Sequence, residues 1–206
     1  FVDVNSRNEA VVTLQENNHI VVVDLPTRTI KNHFPAGSVT LNGVDAVEDG
    51  VISLTDVLPN VRREPDAVAW IRGPLGRFQI ATANEGDLFG GSRGFSIFRS
   101  NGSVAFDTGN SFEELAVRYG HYPEGRSDAK GSEPEAVLSA RFGLEDYLFV
   151  GSERGNFVAV YTLGPLGQPR VEQLLPGPQG PEGLLAIPDR NLLIVSGEND
   201  LEGIEA

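Results

Sequence analysis

The sequence predicts an all-β fold of four-stranded β-propeller blades, about half of a larger ring. Three observations carry that expectation. Apolar runs of strand length alternate with turn residues along the chain, which has 24 Gly and 13 Pro, as many short strands joined by tight turns require. A Pro–acid pair followed by a small residue and an apolar run recurs at Pro65-Asp66, Pro134-Glu135 and Pro181-Glu182. Each pair opens the same order of strand, turn, strand and a Glu in a small polar cluster: Glu85, Glu153 and Glu198. A four-stranded unit repeating every ~45 to 70 residues describes propeller blades.

The first unit, roughly 1–40, lacks the Pro. "FVDVNSRNEAVVTLQENN" supplies two strands and ends in Glu16, and "HIVVVDL" and "RTIKNHF" supply two more. Residues 35–63 read as an insertion holding "LNGVDAVEDGVISL". The second unit, 65–109, ends in "GFSIFRS" and "SVAFDTG", with "SNGS" between them as a hairpin signal. A second insertion, 110–132, holds "SFEELAVRY", which reads as a short helix. Ser111 and Glu114 have capping-box spacing, and Phe112, Leu115, Ala116 and Tyr119 share one face. "PEGRSDAKGSE" then returns as a loop. The third unit, 134–176, repeats the pattern, and the fourth, 181–206, supplies two strands. It stops inside a blade, which leaves an edge strand unpaired. Propellers commonly have four to eight blades, so the remaining ones are expected from further sequence or another chain. The chain begins at Phe1 and has no Met, so a processed piece or fragment is expected.

Composition narrows the function. Over 206 residues the hydrophobic content is 40% and the net charge is −13. That charge repels phosphate backbones and anionic membranes, so neither nucleic acid nor a membrane surface is an expected partner. No apolar run approaches the length of a membrane span. The absence of Cys excludes disulfides, thiolate–metal sites and thiol nucleophiles.

The repeated acids are the candidate site. Equivalent positions of propeller blades form a ring about the axis. Asp66 with Glu85, Glu135 with Glu153, and Glu182 with Glu198 should therefore gather carboxylates at one face or around the channel mouth. Like charges so placed repel, and burial raises the cost. A hard cation, Arg or Lys partners, backbone N–H groups or protonation must compensate. These six acids, with Asp87 and Asp128, are the candidate metal ligands. Calcium is the candidate ion, because it takes six to eight oxygens in flexible geometry. The competing roles are bonding to backbone N–H groups at the turns, pairing with Arg62, Arg63, Arg126 or Arg154, and acid–base catalysis.

Other features carry less chemistry. "GDLFGGSRGF" lacks the Lys and following helix of a phosphate loop and reads as an ordinary loop. "RSDAKG" reads as a surface loop that could bind an anion or reach into the acidic ring. His19, His33 and His121 lack zinc-ligand spacing. No nucleophile elbow or Ser–His–Asp arrangement is present, so no catalytic residue is assigned. Trp70 reads as core. Asn101-Gly102-Ser103 is a glycosylation sequon on an exposed turn.

The stretches "VVTLQENNHIVVVDL", "PDAVAW", "TANEGD", "RSDAKGSEPEAV" and "GPEGLLAIP…NLLIVSGEND" resemble the choice-of-anchor I family over nearly the whole chain. The resemblance implies a secreted or cell-surface propeller of about seven blades, within the usual range, and draws attention to Asp128 and Lys130. It also includes phytase-like and alkaline-phosphatase-like relatives. The chain departs from the family's Asp-x-Ser-Asp-x-Asp-Gly loop: the stretch from Asp45 to Gly50 is shorter and lacks the Ser. The expected function is a calcium-supported binding or structural module whose partner is a protein or surface polysaccharide. The alternatives are a metal-dependent phosphoesterase and a structural segment of a larger assembly. A sparse set of basic residues beside the acids speaks against the phosphoesterase.

Overall fold

Short β-propensive runs punctuated by Gly, Pro and Asn leave the backbone one economical way to satisfy its polar groups, the antiparallel meander. The computed structural model, which describes residues 1–164 and 167–199, has three of them. The first contains β1 (Val2–Val4), β2 (Glu9–Leu14), β3 (His19–Asp24) and β4 (Thr29–Pro35). The second contains β7 (Val68–Arg72), β8 (Phe78–Asn84), β9 (Gly94–Arg99) and β10 (Val104–Asp107). The third contains β11 (Pro134–Phe142), β12 (Glu145–Ser152), β13 (Phe157–Leu163) and β14 (Pro169–Pro176). In each, strands pair in chain order, so the four-stranded blades expected from the repeat are present. A two-stranded sheet of β15 (Gln179–Ile187) and β16 (Leu192–Asn199) follows. Residues 200–206, assigned above to the fourth unit, lie outside the described residues.

The sheets pack face on face. Val11, Ile20, Val22 and Phe34 of the first meet Val68, Trp70, Ile80 and Phe98 of the second. The second sheet's other face, with Ala69, Ala81, Phe95 and Ile97, meets Leu148, Val150, Phe157 and Tyr161 of the third. Phe149, Val158 and Val160 then face Leu184, Leu193 and Val195 of the last pair. Strand alternation is what lets one sheet serve two interfaces. Trp70 is core, as expected, and its indole N–H bonds the Glu9 carbonyl at 3.1 Å. The β9–β10 turn presses on the first sheet. Gly102 has φ +88°, and a Cβ there would lie 2.6 Å from the Phe34 ring, so only glycine fits.

A recurring latch joins neighbouring sheets. The turn between the second and third strands of each meander ends in a left-handed residue: Asn18, Arg93 and Asn156. The Asn18 side chain accepts the Glu64 N–H at 2.9 Å and donates to the Gly37 carbonyl. The Asn156 side chain accepts the Gly180 N–H at 2.9 Å. Asn tolerates positive φ, and its amide supplies the bonds. Asn18→Ala should cost about 2–3 kcal/mol, by stranding a buried N–H and straining the backbone. Asn18→Gly relieves the strain and should cost about 1 kcal/mol less. Urea midpoints check both values; equal effects of the two substitutions would remove backbone strain from the account.

The structure adds one element to the expected fold and corrects two expectations. The first insertion is a β-hairpin of β5 (Ser38–Val44) and β6 (Asp56–Arg62). The helix α1 (Ser111–Tyr119) forms, but Asn110 is its N-cap residue and there is no capping box. Ser111 donates instead to the Thr108 carbonyl, and Glu114 accepts from the Asn110 amide. Tyr119 is exposed and Glu113 is fully buried, so the helix is rotated from the face its apolar spacing suggests. Finally, β2 ends at Leu14 as β8 ends at Asn84 and β12 at Ser152. The position held by Glu85 and Glu153 is therefore Gln15 in the first sheet, not Glu16.

Candidate acidic centre

The repeated Pro is a backbone device with an electrostatic consequence. The residue before it is left-handed each time: Glu64 at φ 45°, Glu133 at φ 47° and Gly180 at φ 62°. Proline sets φ and needs no hydrogen-bond acceptor where the first strand begins. The register of β11 and of β15 also shifts there. The kink turns the acid before Pro inward, so Glu64 and Glu133 are fully buried. The acid after Pro, Asp66 or Glu135, stays half-buried at the strand's start.

The two buried acids are held differently. One Glu64 oxygen accepts the backbone N–H groups of Asp87 and Phe89, at 3.0 and 2.9 Å. Its other oxygen has no hydrogen-bond partner among the described residues. Glu133 is instead surrounded by cations. Arg126 donates to its Oε1 at 2.6 Å, and Lys130 and Arg154 approach Oε2 at 3.2 and 3.7 Å. Neither glutamate was among the acids that the Pro–acid repeat singles out.

Four of the eight sequence-predicted ligands come together. One oxygen each of Asp66, Glu85 and Glu135 lies within 4.8 Å of the others, and so does one each of Glu85, Glu133 and Glu153. Glu85 belongs to both groups. It takes a bond from Lys130 and one from Gln15 Nε2 at 2.7 Å. Arg154 pairs with Glu153 at 2.8 Å. Glu182 is exposed, yet close enough for its charge to act on Asp66 and Glu135. Asp87, Asp128 and Glu198 are exposed and outside both groups.

Protonation relieves part of the repulsion. Burial, and then the Glu85 charge, push the Asp66 carboxyl up to about 6. Burial, and then the neighbouring Glu153, push Glu135 up to about 8. Burial raises Glu153 as well, but its hydrogen bond with Glu135 opposes the rise. The pair therefore shares a proton near neutral pH, held by Glu135 and donated to Glu153.

The "RSDAKG" loop reaches the acids through Arg126 and Lys130, while Asp128 is exposed. The basic residues are consequently not sparse here. Arg126, Lys130 and Arg154 gather at Glu133, which removes the compositional argument used above against phosphate chemistry. The loop after Asp45 is held by protein groups. The Asp45 carboxylate accepts the Val47 and Ser53 N–H groups, and Glu124 accepts those of Asp49 and Gly50.

A second buried charge system supports this loop from behind. Arg93, the second sheet's left-handed turn residue, donates to the carbonyls of Asp45, Ser127 and Ala129. It lies 3.8 Å from Glu113, whose other oxygen accepts the Ser132 N–H at 3.2 Å. Burial pushes Glu113 up to about 7 against the pull of Arg93. Of the histidines, His19 Nε2 and His33 Nδ1 lie 3.0 Å apart across β3 and β4, and His121 bonds the Gly155 carbonyl.

A catalytically inactive virginiamycin B lyase from Staphylococcus aureus, solved with quinupristin, is 11% identical to the chain. The match covers 95% of this chain and 83% of the lyase, and its TM-score of 0.31 is too low to support an argument about fold or activity. No curated protein matches the chain. The model of the choice-of-anchor I domain matches residues 1–90 and, a second time, residues 88–165. Together the two matches span most of a chain that repeats its four-stranded sheets, and the chain belongs to the choice-of-anchor I domain family.

Proposed function

We propose that this chain is part of a secreted or cell-surface β-propeller of about seven four-stranded blades. It acts as a binding or structural module, and Asp66, Glu85 and Glu135 hold calcium or another hard cation at its acidic centre. Membership in the choice-of-anchor I domain family supports the location. The observation that carries the cation is the meeting of three half-buried carboxylates from two sheets within 4.8 Å. Their oxygens are the donors calcium takes, with water completing the shell. A cation there displaces protons that the centre otherwise retains.

The basic residues at Glu133 give a phosphoesterase reading one supporting observation. Each of them is engaged with a carboxylate, however, so the binding reading stands first. Thermal melts of the protein with calcium, magnesium and a chelator test it. At calcium concentrations of ~100 times Kd the stabilisation is about 2.7 kcal/mol, a rise of roughly 5–10 °C for a domain of this size. The rise should vanish in Glu85→Gln. An unchanged melt in millimolar calcium would assign the acids to internal ion pairs and shared protons alone.

A further inference from the structure

We infer that the seam between the first two sheets is a binding cleft for an acidic saccharide, a carbohydrate chain carrying carboxylate or sulfate groups. This goes beyond the cation reading and does not depend on it. The cleft has a volume of about 560 Å³ and is lined by Arg7, Lys31 and Arg77, with Trp70, Phe78 and Asn101. Through Arg77, Phe78 and Asn101 it continues into a lobe of about 370 Å³ that adds Arg99 and Gln79. Its walls are joined by a bond from the Asn32 amide to the Ser100 carbonyl at 2.8 Å.

The charge of the cleft opposes that of the molecule. The chain has 29 acids and 16 Lys and Arg, yet four of those cations line this seam. The one carboxylate lining it, Glu9, is already bonded to Lys31 and to the Asn5 amide. Among the described residues, Arg7 and Arg77 make no salt bridge. Arg7 lies over the Phe78 ring, 5.2 Å from its centroid, which steadies the guanidinium without using up its donors. A planar guanidinium with free N–H groups matches a carboxylate or sulfate in bidentate geometry.

The remaining lining favours a sugar over a free inorganic anion. Phe78 and Trp70 meet edge to face at 5.8 Å and offer an apolar wall for the C–H face of a sugar ring. Asn101 and Ser100 on the same walls add polar groups for hydroxyls. Two joined lobes suit a short run of residues rather than one small ion, and their combined size is that of an ordinary ligand site.

Trp70 is the chain's one tryptophan, so its fluorescence reports on this cleft alone. The protein is titrated with a polyuronate, with a heparin-type sulfated chain and with neutral dextran, in chelator and in calcium. A saturable change with one or both acidic chains, absent with dextran and unaltered by the chelator, is expected. The two acidic arms distinguish carboxylate from sulfate recognition. Arg7→Gln/Arg77→Gln should weaken the response at least tenfold with an unchanged circular dichroism spectrum. Arg118→Gln, an exposed change on α1, should leave it intact. No response to either acidic chain, an equal response to dextran, or a response that survives the double substitution would overturn the proposal. Because the chelator arm removes any cation, failure here is separable from failure of the calcium reading.

Discussion

Arg93→Met is expected to destabilise the protein by about 3–5 kcal/mol, the cost of removing one partner from a buried charge pair. The guanidinium is 2% exposed. It donates to three backbone carbonyls from two loops and lies beside the fully buried Glu113. Methionine fills the volume but offers no donors, so the carbonyls lose their partners and Glu113 loses its counter-charge. The carboxyl, already pushed up to about 7 by burial, then rises further and takes up a proton. Arg93→Met/Glu113→Gln should therefore recover part of the loss, because a neutral amide needs no counter-charge. Urea unfolding of the two variants at pH 8 measures the difference. A single-variant loss below about 1 kcal/mol would show that the site does not depend on the pair. The substitution also frees the loop that carries Arg126 and Lys130, so the calcium response should change with it.

The second large effect is on pH dependence. Glu135, pushed up to about 8, and Asp66, to about 6, hold protons in the folded state after the unfolded chain has released them. An unfolded carboxyl titrates near 4. From there upward the unfolded state binds fewer protons, so stability falls as pH rises, until the folded carboxyls have ionised as well. The melting temperature should thus decline between about pH 4.5 and 8. Glu135→Gln keeps a donor for Glu153 and cannot ionise. It should flatten the decline and be more stable than the unaltered protein at pH 8. A residual slope from Asp66 and Glu113 remains. Saturating calcium should flatten the profile too, by taking the place of the protons. A profile rising toward pH 8 would mean that the carboxylates are better solvated or better paired than their positions indicate.

The strands and their grouping into units are legible in the sequence, because turn residues and alternation act over a few neighbours. "SNGS" specifies its hairpin locally, and Pro–acid repetition places Asp66 and Glu135 at equivalent strand starts. Equivalence in turn brings Asp66, Glu85, Glu135 and Glu153 to one place, so half of the candidate ligands follow from the repeat. The same reasoning misplaces Glu16, since one residue of turn length separates it from the position that Gln15 occupies. It also includes Glu182 and Glu198, which share the pattern but are exposed, as are the added candidates Asp87 and Asp128.

The blade-forming strands, the turns between them and the equivalence of Asp66 with Glu135 and of Glu85 with Glu153 are all written in local residue patterns. Tertiary structure alone decided which acids are buried and what neutralises them. Glu133 and Glu64 precede their prolines just as visibly as Asp66 follows one, yet a left-handed φ turns them inward. Glu133 is acceptable there because the loop just before it folds Arg126 and Lys130 back onto its carboxylate and Arg154 arrives from the turn after β12. Glu113 displaces Tyr119 from the helix's inner face for the same reason: Arg93 and the Ser132 N–H wait for it across the fold. The cost of burying a charge depends on which partners the folded backbone turns toward it, near or far in the chain, and the pattern of residues does not record that orientation.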